Sequence, residues 1–407
     1  MNQPVNWESP VSQPEPKRKD WLTIAQLVFS GFFTLAYGAA AVALLTHSLP
    51  EISQVITTDP TPLSSYSMGF FCAILALFNL ASTYYSGKKL KSGDDSIRTE
   101  KRLKWLNGIL IVVPILIVIG VLVFPSESIR NYLLPVLTSL IIVIGVVWLI
   151  KLGSGESWGA HAQRDSGLIS LMTGFTIWFI MFLEIMVLVI VGIILLIGLI
   201  NKPELIQQLN TLANLIETQS DPSQVLQTLQ GMVSTPTLFG LAFLIVVVIM
   251  PIIEELFKTL GVWILAGRNL SPQEGWVAGL MSGAGFALVE GLFYSVQMVT
   301  LPDSFSWVVA VVGRTGGSLL HTFCGGLIGW ALAKTWKDRK VWRVVGMFVV
   351  VILIHGFWNG LALIPTISTL GGLSEAADNL YFLPLILLMV GLFIGYTSTT
   401  RKVAGQA

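Results

Sequence analysis

Charge is what this 407-residue chain has least of. Only 12% of its residues are Asp, Glu, Lys or Arg, and 54% are hydrophobic. A soluble domain carries roughly 25% charged residues and could not cover its surface with half that number. The scarcity excludes an ordinary soluble enzyme, a disordered chain and a fibrous one. Cysteine is nearly absent too. Cys72 and Cys324 both sit in apolar stretches, which excludes a disulfide framework and a Cys-based zinc site. They read as small apolar packing residues. A net charge of +1 supplies no field for nucleic acid. The mean hydropathy of +0.75 then points to a polytopic membrane protein.

Apolar blocks of spanning length recur ten times, at roughly 22–46, 68–85, 106–124, 132–152, 167–200, 237–266, 276–299, 307–334, 344–364 and 380–397. The fold class this predicts is all-α, a helix bundle of about ten transmembrane spans. Alternating the connections across the membrane puts twenty Lys and Arg on one side, against Arg130 and Lys202 on the other. Positive charge stays in the cytoplasm, so both termini are expected there, with the chain a multi-pass protein of the cell membrane. The first block follows Lys17, Arg18 and Lys19 and reads as an uncleaved signal anchor.

This organisation divides the chain into five parts. Residues 1–21 form a cytoplasmic polar tail, and 22–200 an accessory bundle of five spans. Residues 201–236 form an extracytoplasmic loop. Leu205, Leu209, Leu212 and Ile216 predict one amphipathic helix there. Asp221-Pro222 starts a second, with Val225, Leu226, Leu229 and Met232 on one side. Residues 237–364 hold the four polar-bearing spans, and 365–407 the last span and a cytoplasmic tail.

An ionisable group at mid-bilayer costs about 2.5–3.5 kcal/mol on insertion scales. The first four blocks avoid that cost. The fifth carries Glu184, which reads as a structural partner. The sixth to ninth carry Glu254, Glu255, Lys258, Glu290, Arg314, His321 and His355. Helical spacing puts the members of each set on one face: Glu254 and Glu255 at i−4 and i−3 to Lys258, within reach of its ammonium; Glu290 with Tyr294; Arg314 with Ser318 and His321; His355 with Asn359. Small-x-x-x-small patterns at Gly279–Gly283, Gly325–Gly329 and Gly356–Gly360 allow these helices to approach closely. The charges are therefore expected to face one another inside the bundle.

The chemistry such a cluster offers is hydrolysis. A buried carboxylate can activate water. Glu254 or Glu255 could be that base, with Lys258 holding the other ionised. His321 and His355 could orient the water or protonate the leaving amine, and Asn359 could donate to the oxyanion. Glu254, Glu290, His321 and His355 also form a possible Zn²⁺ ligand set, although a His-Glu-x-x-His signature is missing. Lys258 and Arg314 read as charge balancers.

The motifs Glu254-Glu255-x-x-Lys258, Gly285-Phe-Ala-x-x-Glu290-x-x-x-Tyr294, His321 and His355-Gly-Phe-Trp358-Asn359 resemble those of the PrsW family of intramembrane proteases. They are similar, more distantly, to the CAAX prenyl protease superfamily. The resemblance covers about residues 250–360. It implies an endopeptidase acting on membrane-anchored protein substrates in or near the lipid bilayer, with Glu254, Glu255, His321, His355 and Asn359 as the catalytic set. Glu290, Tyr294, Lys258 and Arg314 are supporting. Gly291 stands where the family often has Asn, which removes any role for that side chain. Both metal-dependent and glutamate-type proteolysis are described in the family. Glutamate-activated water, needing no cofactor, is the favoured expectation, with Zn²⁺ as the variant. Two other functions fit the same stripes: a non-catalytic scaffold held together by them, and a proton-coupled transporter.

Overall fold

The structure is a computed structural model that describes residues 20–53, 61–93, 105–157, 159–199, 203–218, 224–225, 228, 240–370 and 382–404. The described residues are almost all helical. In order, the helices are α1 (Trp21–Ser53), α2 (Thr61–Ser92), α3 (Trp105–Val123), α4 (Glu127–Ser154), α5 (Ala162–Leu171), α6 (Ile177–Leu199), α7 (Pro203–Glu217), α8 (Met250–Lys258), α9 (Leu260–Trp263), α10 (Pro272–Met298), α11 (Ser304–Asp338), α12 (Trp342–Leu370) and α13 (Phe382–Ala404). Two π-helical turns, Met172–Thr176 and Leu244–Ile249, lead into α6 and α8.

Among the described residues, eight helices are long and apolar enough to cross a membrane, judged by length and composition. In their described parts all ten apolar blocks fall on helices. The two outside the eight are α3, which offers only a short apolar run at Ile111–Val123, and α11, which carries Arg314, His321 and a series of glycines. The protein is a multi-pass helical membrane protein. The first amphipathic helix of the 201–236 loop is α7; the second lies mostly outside the described residues.

Helix α10 is the axis. It starts on a capping box, in which Ser271 Oγ accepts from Glu274 N–H at 3.2 Å and Glu274 Oε2 accepts from Ser271 N–H at 2.9 Å. Beyond that start almost every residue is buried. Its closest neighbour is α11, because glycines meet glycines. A Cβ on Gly279 would lie 2.1 Å from the Gly325 carbonyl oxygen, and one on Gly283 would lie 2.2 Å from that of His321. In lipid this close packing replaces the hydrophobic effect as the source of helix association. It also fixes the depth of His321 against α10.

Buried aromatics with one polar atom tie α4 to the rest. Trp276 Nε1 donates to the Gly153 carbonyl at 2.9 Å, Tyr396 Oη to that of Leu149 at 2.6 Å, and Trp307 Nε1 to Thr138 Oγ1 at 3.0 Å. Each fills volume and satisfies its own donor.

Irregular backbone inside a membrane needs a partner for the groups it frees. The first π turn offers the Thr173 carbonyl to Tyr37 Oη at 2.7 Å and Trp178 Nε1 at 3.0 Å. The second offers the Val246 carbonyl to Asn359 Nδ2 at 3.0 Å. The break after α8 is served by Ser282, whose hydroxyl donates to the Lys258 carbonyl. Two of these three irregularities flank Glu254 and Glu255 and hold α8 to α10 and α12.

Candidate active site

A pocket of about 480 Å³ lies where α6, α8, α10, α11 and α12 meet. Its lining includes Glu184, Glu254, Glu290, Tyr294, Arg314, His321, His355, Trp358 and Asn359. Residues spread over nearly two hundred positions of sequence thus share one cavity. Helical register turns each set inward, and the small residues let the helices close around it.

Two imidazoles stand at the centre, with ring centroids 4.9 Å apart and planes nearly perpendicular. Each has a carboxylate on one nitrogen. His355 Nδ1 lies 2.7 Å from Glu255 Oε1, and His321 Nε2 lies 2.8 Å from Glu290 Oε2. Each carboxylate in turn has its own cation. Lys258 Nζ donates to Glu255 Oε1 at 2.5 Å, and Arg314 to Glu290 Oε2 at 2.7 Å. Arg314 also lies over the Tyr294 ring at 4.5 Å. Two chains of the form cation, carboxylate, imidazole therefore converge on the cavity.

Glu254 stands where they meet. Its Oε2 is 3.6 Å from His355 Nε2 and 4.0 Å from His321 Nδ1, and it is buried without a hydrogen-bond partner. The expectation that Lys258 reaches both carboxylates is met by Glu255 alone, because Glu254 turns to the cavity side of α8. An orphaned buried carboxylate oxygen is expensive to keep unless something binds it.

Three expected site residues have positions that differ from the simplest reading of the sequence. Glu255 and Lys258 are fully buried and stand behind the imidazoles, outside the cavity lining. Asn359 lines the cavity, but one of its amide N–H bonds is spent on the Val246 carbonyl. Glu184, read as a partner outside the set, belongs to the lining of the same cavity as Glu254. The signal for it was present: an ionisable residue in the middle of an otherwise apolar span. Its span lies one before the run of four, which sets it apart in the sequence.

Glu254, His321 and His355 are a donor group that could hold a metal ion, each offering one ligand atom, with these atoms within 4.8 Å of one another. The fit is supported by the orphaned Glu254 oxygen and by the second nitrogens of both imidazoles resting on carboxylates, the usual support for a ligating histidine. One contact opposes it. Lys258 Nζ is 3.1 Å from His321 Nδ1, and a ligand role for that nitrogen requires this contact to open. Glu290 is held by Arg314 and His321 and is not in the group.

Helical architecture and a buried acid–imidazole pocket define a multi-pass membrane protein with a polar cavity between its helices. Comparison with known families gives the same class: the chain matches the PrsW family of intramembrane metalloproteases over residues 172–392, more than half its length, and belongs to that family. The match takes in α6, with Glu184, as well as α8 to α12. No curated protein and no solved structure matches the chain.

Proposed function

We propose that the chain is an endopeptidase that cuts membrane-anchored protein substrates at this pocket, with a zinc-type cation held by Glu254, His321 and His355. The observation that carries this reading is the Glu254 oxygen, buried without a partner between two imidazoles that are each backed by a carboxylate. A cation bound there would act as a Lewis acid and make water nucleophilic at neutral pH. Neutral imidazole and carboxylate oxygen are suitable donors for it.

The chain's own residues supply the rest. Glu255 fixes the tautomer and orientation of His355, and Lys258 is the cation paired with Glu255. Glu290 does the same for His321, balanced by Arg314. Glu184 is the remaining cavity carboxylate and is suited to accept a proton from water and return it to the leaving amine. The free amide N–H of Asn359 is available to the developing oxyanion. Helices α1 to α5 form an accessory bundle on this reading.

The Lys258–His321 contact supports a second reading, without a metal. There Glu254 takes the proton from water, and His355, whose Nε2 faces Glu254 at 3.6 Å, orients that water, while His321 is held by Lys258 at Nδ1 and by Glu290 at Nε2. One experiment separates the two. The full chain is reconstituted in lipid vesicles with a single-pass protein substrate, treated with a chelator, and then given zinc. On the first reading fragments form, stop with chelator and return with zinc. Metal analysis then finds about one zinc per chain, lost in His355→Ala. Undiminished cleavage by metal-free protein rejects the first reading in favour of the second. Intact substrate under all conditions rejects both.

A further inference from the structure

Two more cavities adjoin the one at Glu254. The first, about 360 Å³, shares Tyr294, Arg314, Trp358 and Ala362 with it. The second, about 510 Å³, shares Gly313, Trp358 and Leu385 with the first. Its remaining wall is Phe305, Val308, Val309, Val312, Ile386 and Met389. Together they make a groove that runs from the acidic pocket to the face between α11 and α13. The contributing residues lie in the first third of each of these two helices, at the end away from the basic Lys334–Arg343 connection. Phe305 and Ile386 are exposed at its mouth. Trp358 stands at the junction of all three cavities, its ring seated against Gly316.

We propose that this groove is the substrate channel, and that it receives an unwound, apolar stretch of the substrate's own transmembrane segment through the α11–α13 face. The assignment rests on the proteolytic reading above. Continuity with the Glu254 pocket argues for substrate over any other occupant. The wall chemistry argues for apolar residues: among the described residues the outer cavity offers no charged side chain, and Arg314, in the middle cavity, is held by Glu290. Cavity size argues for extended chain. An α-helix with side chains is about 10–12 Å across, and cavities of a few hundred Å³ take side chains one or a few at a time. A peptide bond locked in a helix also cannot present its carbonyl to a nucleophile.

Photocrosslinking tests this with the full chain in vesicles. The Glu254→Gln variant carries a photoreactive residue at Val309 or at Ile386, and in separate samples at Leu35 or Ile194, which are exposed on α1 and α6. The substrate is a single-pass protein that the unaltered chain cuts. Substrate crosslinks at Val309 and Ile386 that exceed those at Leu35 and Ile194 about tenfold support the groove, on the scale by which an apolar pocket discriminates. Equal yields, or adducts only to lipid or to the chain's own residues 371–381, overturn it while leaving proteolysis in place. A second variant reads the same claim without a probe. A Cβ at Gly313 meets nothing within 4 Å and Gly313 lines both outer cavities, so Gly313→Leu puts a side chain into the groove from a position with room for its Cβ. It raises KM for the membrane substrate about tenfold on this assignment. An unchanged KM overturns it.

Discussion

Two of the polar networks buried among the described residues are built from different chemistry. The first joins α1, α2 and α5 with neutral groups, and the charged Lys89 at its edge donates to Gln163 Oε1 at 2.9 Å. Gln26 donates to Ser82 Oγ and to the Gln163 carbonyl, both at 2.9 Å. Asn79 donates to the Leu75 carbonyl and to Thr173 Oγ1, and accepts from Ser170 at 2.6 Å. Thr83 completes it with Ser30 at 3.0 Å. Every polar atom of Asn79 is matched. The second network joins α6, α8, α10, α11 and α12 with charged groups, and it leaves Glu254 Oε2, Glu255 Oε2 and Arg314 Nε unmatched, the first of them between the two imidazoles. Neutral groups that satisfy one another hold helices together at modest cost. Charged groups are costly to insert and gain nothing as adhesive that amides and hydroxyls would not supply. The difference supports the proposal that the second network is the site and the first a joint.

Substitutions can break this contrast, and the largest effect belongs at its centre. Glu254→Gln keeps the size of the side chain and removes its charge. Cleavage of a membrane substrate is expected to fall about 10³-fold or more, within the range for a lost general base or metal ligand. The variant's unfolding midpoint is expected to stay near that of the unaltered chain, since no buried ion pair is broken. A large loss of stability would show that Glu254 holds the fold instead.

Glu255→Gln attacks the same network one step back and should fail differently. It leaves Lys258 buried without its 2.5 Å partner. Removing one member of a buried pair costs about 3–5 kcal/mol. Equilibrium unfolding in detergent is expected to show that loss together with reduced activity. The double variant Glu255→Gln with Lys258→Met is expected to recover most of the stability but not the activity, because His355 still lacks its carboxylate. Recovery of both would mean that Glu255 serves packing alone.

Gly279→Leu tests the backbone contact that sets His321 against α10. The added side chain meets the Gly325 backbone, which cannot move aside as a flexible side chain would. Overpacking of this kind costs about 1–3 kcal/mol. Both stability and cleavage should drop, with kcat falling more than KM changes, since the displaced group is His321. A variant that unfolds no earlier than the parent would rule out the glycine contact as a structural constraint.

The smallest effect is expected in the neutral network. Asn79→Leu removes one inter-helix set of hydrogen bonds, and such bonds average about 0.6 kcal/mol in membranes. Unfolding should shift slightly and cleavage should remain within about twofold of the parent. A loss of activity approaching that of Glu254→Gln would erase the distinction between joint and site.

Much of this was legible in the sequence because lipid imposes few solutions. A block of about twenty apolar residues is a helix wherever it lies, since its backbone must bond to itself. The ten blocks therefore mapped onto helices, and the motifs on α8, α10, α11 and α12 resembled the family to which the chain belongs. Spacing along one helix also put Arg314 with His321 and His355 with Asn359. It could not distinguish Glu254 from Glu255. Adjacent residues on a helix point about 100° apart, and which one meets the cavity depends on how α8 is rotated. Nor could it show that Asn359 is partly spent on the Val246 carbonyl, because the π turn that frees that carbonyl has no sequence signature here. Glu184 was visible as an oddity but not as a neighbour of Glu254.

Local rules thus settled the class of protein, its helices and the short list of groups able to do chemistry, because desolvation penalises every polar residue that lacks a purpose in lipid. The packing of helices alone decided which carboxylate stands open between two imidazoles, which stand behind them, and where a groove reaches the bilayer. Those are distances between residues far apart in the chain, and only the rotation and approach of one helix against another sets them.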